Sequence, residues 1–456
     1  MRQFVVGLLF MVFAGVSIAE ENTNTGAEID HRLGAILRVL TSQDPSQLKS
    51  EIQYLEANWQ PDLIAPMLEA LNFARTDLQT ELINYLLTKK TGQRFQGTND
   101  WYFWLWNQDF KTSANYANFK AALYGGIDRR FARYFVGRGD QARIRLDEVR
   151  WGGVVQDGIP PLRDPEMISA EEATYLQPDN IVFGISINGD ARAYPKRILA
   201  WHEMFVDEIG GVEIAGVYCT LCGAVIPYRT KVGDKTFALG TSGFLYRSNK
   251  LMYDQATQSL WSTNRGVPVI GPLVDKGIQL EQESVVTTTW AEWKRRHPKT
   301  TVLSLNTGHQ RDYGEGVAYN DYFSSDRLMF NTPFKDQRLK NKREILGLRF
   351  PAAPNQQLAI DATFLKQNPI YESKIGLQQF VVLTDQTGAN RVFDTKGVEF
   401  KNYDGDRGLK DHAGMTWTLS EDQLLAADGR TLSRLPAHRA FWFGWQAAFP
   451  ETQLVK

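Results

Sequence analysis

The strongest constraint on the fold is an internal repeat. From Glu344 onward the chain retraces, in the same order, a pattern that begins near Ile181. Phe183-Gly184-Ile185 returns as Leu346-Gly347-Leu348, Ala193-Tyr194 as Ala359-Ile360, Leu199 as Leu365, and Ile209-Gly210 as Ile375-Gly376. The run from Val217 to Thr230 matches Val382 to Thr395 without a gap. Asp254 followed by Trp261 resembles Asp411 followed by Trp417. Trp290, Trp293, Pro298 and Thr300 match Trp442, Trp445, Pro450 and Thr452 at identical spacing. Shared positions are mostly apolar, glycine or tryptophan, the residues of a common core. The segments between turn signals are short and β-type, such as Ile181 to Ile187 closed by Asn188-Gly189-Asp190. This predicts two copies of one β-rich unit with short helices, at residues 150–306 and 343–456, joined by a connection at 307–342.

What the copies do not share points to chemistry. The chain has two cysteines, Cys219 and Cys222, in Tyr218-Cys219-Thr220-Leu221-Cys222-Gly223. Their counterparts are Thr384 and Thr387. With a one-residue gap, His202-Glu203-Met204 becomes Asn368-Pro369-Ile370. Soft and titratable groups vanish together from the second copy, so the first is expected to carry the chemistry and the second to be structural.

Ahead of the repeats the pattern is helical. Ile29, Leu33, Ile36, Leu37 and Leu40 share one face. Asp44-Pro45 reads as a cap before a proline at the first helical position, and Thr76 with Gln79 as a capping box. Short helices with turn signals resemble a helical-repeat array such as HEAT; without a strict period, an irregular bundle fits as well. The aromatic run Trp101 to Trp106 reads as a core plug between domains. The expected class is α+β, with a helical domain at residues 20–149. Residues 1–19 read as a secretory signal: Arg2, an apolar stretch from Phe4 to Gly15 too short to span a membrane comfortably, and Ser17-Ile18-Ala19 before cleavage. A periplasmic or secreted protein is the expectation. The 51 basic and 52 acidic residues balance, which argues against a nucleic-acid partner. No further membrane span is expected, and the helical domain is the surface for a protein partner.

The motifs Tyr218 to Gly223, Ala193-Tyr194-Pro195, His202-Glu203, Met252-Tyr253-Asp254, Ser259-Leu260-Trp261, Trp290-Ala291-Glu292-Trp293, His297-Pro298 and Arg311-Asp312-Tyr313-Gly314 together resemble the bacterial and archaeal domain-of-unknown-function family 3179. The resemblance runs from about Arg150 to the C-terminus. It supports the fold unit and implies no activity.

Four chemistries fit the cysteine pair. Thiolates with His202 and Met252 would form a soft-metal site, for copper(I) first and zinc next. The spacing also suits thiol redox work, although strand-like sequence after Cys222 argues against the thioredoxin context. One cysteine with His202 as base and Glu203 nearby would make a nucleophile. A local disulfide would close a very small loop and stabilise little by loop entropy. The site expected is Cys219, Cys222 and His202, with Glu203, Met252 and Asp254 as further candidates, and metal or thiol redox chemistry as the function. The rival is a non-enzymatic envelope interaction protein whose cysteines tie a loop. Phosphate-loop glycine signatures, a Gly-x-Ser-x-Gly elbow and a His-Glu-x-x-His helix are absent from the sequence.

Overall fold

The computed structural model describes residues 29–109, 112–113 and 115–456. The expected signal segment lies outside them. The architecture is α+β, with helices first and a β-rich part after them. No helix among the described residues is long and apolar enough to cross a membrane.

Local sequence sets the helix ends. Asp44 accepts from the Ser46 N–H ahead of Pro45–Ala57, with proline at the first position. Thr76 and Gln79 form the reciprocal capping box of Asp77–Thr91, which Gly92 ends in a left-handed conformation at φ 70°. The Gln79 side chain also donates to the Val39 carbonyl at 2.9 Å, so one residue caps its helix and ties it to His31–Thr41.

The helical part has no separate core. Its buried face continues into Phe244, Leu251, Tyr253, Leu260 and Ile270 of the first β sheet. Trp101, Tyr102, Leu105 and Trp106 of the aromatic run are buried in this shared core, and Trp106 Nε1 donates to the Asp147 carbonyl at 3.3 Å. A polar knot lies in it too. Buried Glu69 accepts from Tyr116 at 2.8 Å, from Lys120 at 2.6 Å and from Tyr124, while Lys120 also donates to the Val149 carbonyl at 3.0 Å. Burying this carboxylate is tolerable because its oxygens are met by donors.

Two sheets of the β part have the same order. In one, Val286–Thr289, Ile181–Ile187, Asp190–Pro195 and Thr301–Leu303 lie side by side, the last pair parallel and the others antiparallel. In the other, Ala437–Phe441, Glu344–Arg349, Gln357–Asp361 and Gln453–Val455 do the same. A short helix, Trp290–Arg296 or Trp442–Ala448, packs on each. Gly184 and Gly347 sit mid-strand beneath these helices. A methyl carbon added at either would fall 2.3 Å from the ring of Trp293 or Trp445. The indoles donate to Thr300 and Thr452, both at 2.9 Å. Asp254 and Asp411 accept from Trp261 and Trp417 at 3.2 and 3.1 Å.

The halves interlock. Trp442, Trp445 and Ala440 pack on Cys219, Cys222 and Ala224. In return Trp290 and Trp293 pack with Ala389, and Arg296 lies 3.6 Å from Asp385. The turn after the central strand of each half is covered by the tryptophan helix of the other.

Gly184→Ala and Gly347→Ala should each lower stability by about 1–3 kcal/mol, as overpacking does. Urea denaturation with unchanged m-value checks this, and wild-type midpoints would show that the ring-on-glycine contact is not required.

Candidate functional site

The strand Val212–Cys219 is central in its sheet, between Met204–Ile209 and Ala224–Arg229. It runs into the tight turn Thr220–Cys222, closed by Gly223 at φ 61°. Glycine is required here twice over: the backbone is left-handed, and a methyl group would meet the Phe441 ring at 2.9 Å. Both cysteines are buried and free of any disulfide.

A second turn faces the first. Leu239–Tyr246 and Asn249–Asp254 form a hairpin whose two turn residues, Arg247 and Ser248, hold φ of 50° and 66°. This is the primed turn that suits the twist of a hairpin, built here without glycine and at a cost in strain. Three contacts hold it. Arg247 pairs with buried Glu148, Ser248 Oγ donates to the Phe330 carbonyl at 3.1 Å, and the Asn249 amide nitrogen donates to the carbonyls of Arg247 at 3.1 Å and Gly444 at 3.0 Å.

Those last bonds orient Asn249. With its nitrogen committed to carbonyls, its Oδ1 faces Cys222 Sγ at 3.1 Å. An amide oxygen only accepts, so Cys222 must supply the proton and stays a thiol. The Ser248 carbonyl, 3.5 Å from the same sulfur, enforces the same state. Burial and its neighbour Cys219 push the Cys222 pKa well above the ordinary thiol value. Cys219 goes the other way. Burial opposes its thiolate, but the neighbouring Cys222, the Lys250 backbone N–H and the Lys250 charge together outweigh burial and the opposing Glu203 charge. The net shift is downward. The pair is polarised into one sulfur inclined to thiolate and one held as thiol.

Glu203 ends the helix Lys196–His202 in a left-handed conformation at φ 55° and forms a buried ion pair with Lys250. The connection between the halves closes the site: Tyr319 reaches Glu203 at 3.5 Å and Tyr322 donates to the Leu221 carbonyl at 2.8 Å. The wall opposite is Gly444, where a methyl group would sit 3.2 Å from Cys222 Sγ.

Of the residues expected from the sequence, Cys219, Cys222 and Glu203 come together. His202 joins a different cluster. Its Nδ1 meets the Pro160 carbonyl at 2.9 Å and its Nε2 the Tyr313 hydroxyl at 2.6 Å, with His309 at 5.2 Å between ring centres. Both nitrogens are engaged away from the sulfurs. Burial, opposed by the Pro160 bond and helped by the charges of His309 and Arg311, pushes its pKa down to about 4. Met252 packs in the apolar core beside Met204, Val217 and Trp261. Asp254 closes a turn, accepting from Thr257 N at 2.7 Å, Ser259 N at 3.1 Å and the Trp261 indole. Among the described residues, no group of three or more His, Cys, Asp or Glu is placed to hold one metal ion.

A family model described as a protein of unknown function, DUF3179, matches residues 156–452. The chain belongs to this family. Neither curated proteins nor solved structures gave a match. The matched segment contains most of the β part, short of the last strand Gln453–Val455, and every residue of the cysteine site except the Glu148 that braces its turn.

Reading the sequence alone missed Asn249, Lys250, Tyr319, Tyr322 and Gly444. One signal was available: the polar run Gly243 to Asn249 is shortened in the second half, in step with the loss of the cysteines. The second half packs against the cysteine turn, with Gly444 and Trp442 beside Cys222.

The His202 ring should stay neutral well below the ordinary histidine range. An unfolded imidazole takes its proton near pH 6.5, and the folded one near 4. Between those values the unfolded chain binds more protons, so this group costs stability as pH falls through the window and nothing above it. A proton NMR titration of the His202 ring checks the assignment; a midpoint near the ordinary value would contradict the buried network.

Proposed function

We propose that Cys219 and Cys222 form a thiol–disulfide exchange centre in an exported protein, on a scaffold made of two copies of one β-rich unit. The observation that carries this is the orientation of Asn249, whose amide oxygen keeps Cys222 protonated beside a Cys219 inclined to thiolate. Exchange needs one attacking thiolate and one thiol in reserve. Cys219 thiolate attacks a partner disulfide, forming a mixed disulfide and releasing the first partner sulfur as thiolate. Cys222 then gives up its proton and attacks the Cys219 sulfur, releasing the second partner thiolate. The product is the Cys219–Cys222 disulfide, with two electrons passed to the partner, whose thiolates take up protons as pH dictates. Both sulfurs are buried, so the partner must displace Tyr322 from the Leu221 carbonyl, and exchange on the folded protein is slow.

The duplication is supported by the equal strand order of the two sheets and the paired tryptophan contacts. In the second half, Asp385 occupies the place of Thr220. Its carboxylate holds the turn by accepting from Thr387 N and Ala389 N, both at 3.0 Å. The turn is thus built there without sulfur, which weighs against a purely structural disulfide in the first half.

A second reading, copper(I) binding, is favoured by two soft donors on one buried turn. Zinc is less suited, since His202 and Met252 lie elsewhere and zinc ordinarily takes four ligands.

Incubation of the reduced protein with oxidised glutathione, followed by thiol counting and intact-mass measurement, tests the proposal. Wild type should lose both thiols together and form an intramolecular disulfide. Cys222→Ser should trap one glutathione on Cys219, and Cys219→Ser should trap at least about ten-fold less. No disulfide and no adduct would overturn the redox reading. Retention of copper(I) against a competing chelator, without disulfide formation, would install the metal reading in its place.

A further inference from the structure

Between the sheet edge Val267–Ile270 and the end of the helix Trp442–Ala448 lies a cavity of about 450 Å³. That is within the size range of small-molecule sites. Its lining carries Arg143, Arg247, Lys250 and Arg265 against a single carboxylate, Asp275, with neutral Asn264 and Ser262 among them. Leu273, Ile278 and Val269 supply an apolar side.

Three of the four cations have acidic partners. Arg143 pairs with Asp275, Arg247 with Glu148 and Lys250 with Glu203. Arg265 has none among the described residues. Its guanidinium donates to the Ala448 carbonyl at 3.3 Å and lies over the Phe449 ring at 5.2 Å. Arg349 is close, donating to the Arg265 carbonyl at 3.2 Å, and it too lacks a carboxylate partner among the described residues. Burial, the Arg349 charge and then the Arg247 charge all push the Arg265 pKa down. Arg265 is exposed, and neither it nor Arg349 has a carboxylate among the described residues to offset its charge. An arginine steadied on an aromatic face and directed into a cavity is the group that takes a carboxylate or phosphate in two-point contact.

We propose that this cavity binds a small molecule bearing a carboxylate or phosphate group, with Arg265 as its anchor. The occupant offsets the uncompensated guanidinium charge, takes further bonds from Asn264 and Ser262, and lays its apolar part on Leu273 and Ile278. Asn249 and Lys250 also line the cavity, so the occupant lies beside the hairpin turn that orients Cys222. The proposal stands on the charges of the cavity and is independent of whether the sulfurs exchange.

The test uses the full chain with inorganic phosphate and citrate as probes, against sodium chloride at equal ionic strength. At least one probe should give a saturable calorimetric titration and raise Tm above the chloride control, and the tighter one identifies the preferred group. Arg265→Gln should weaken binding by about ten-fold or more, as loss of a charge-assisted contact does. Arg143→Gln, already neutralised by Asp275, should change it by less than about three-fold. In wild type, the bound probe should protect Arg265 from an arginine-directed dicarbonyl reagent, a readout that needs no variant to fold. No saturable binding by either probe, equal binding by Arg265→Gln, or no protection would overturn the proposal.

Discussion

A tryptophan ring pressed onto a strand glycine anchors each half of the β part. Trp293 lies on Gly184 and Trp445 on Gly347, and each indole is fixed by a threonine hydroxyl 2.9 Å away. Because no side chain can stand on the glycine, the helix bearing the tryptophan settles close to its sheet, and interior packing leaves it little freedom. From that position each helix covers the turn of the opposite half. The covered turn in the first half holds the cysteines. The sulfurs are therefore walled by residues some two hundred positions away, and the geometry of the site depends on the packing of the whole β part.

That packing moves the pKa values of the two sulfurs in opposite directions. Asn249 cannot turn its amide without abandoning the carbonyls of Arg247 and Gly444, one from its own hairpin and one from the other half. A buried amine or carbonyl left unpaired costs more than the bond is worth, so the orientation persists. The strain of two non-glycine residues at positive φ is offset by the buried Arg247–Glu148 pair and the Ser248 contact to the connection. Four segments meet at this turn: the end of the helical part through Glu148, the hairpin itself, the connection and the last helix.

The second half shows what the turn needs apart from its chemistry. Asp385 closes it with carboxylate bonds to backbone N–H groups and to Arg391 at 2.9 Å. In the first half that position is Thr220, whose hydroxyl is buried without a partner among the described residues. The first turn carries two sulfurs and lacks the capping carboxylate that the other turn has. It relies on Gly223, Asn249 and Gly444 for its form.

Much of the fold was legible in the chain because its signals are local. The capping box at Thr76, the turn at Asn188-Gly189, the strand at Ile181–Ile187 and the helix after Thr289 all follow from short-range propensity and hydrogen bonding. The paired tryptophans were legible because two halves of one chain could be compared. The cysteines and Glu203 were found for the same reason. His202 and Met252 were assigned to the sulfurs by residue chemistry, and the fold sends one to Tyr313 and the other into the core. Tyr322 and Gly444 carried no sign of their role, and Asn249 only its place in a polar run that the second half shortens, since an amide, a phenol and a glycine become site residues only through what stands opposite them. The sequence by itself determined many of the elements, the recurrence of the same glycine and tryptophan positions and the presence of a two-thiol turn. Only the tertiary structure decided which sulfur faces a fixed acceptor, because that depends on the direction of one buried amide held in part by a carbonyl distant in the chain.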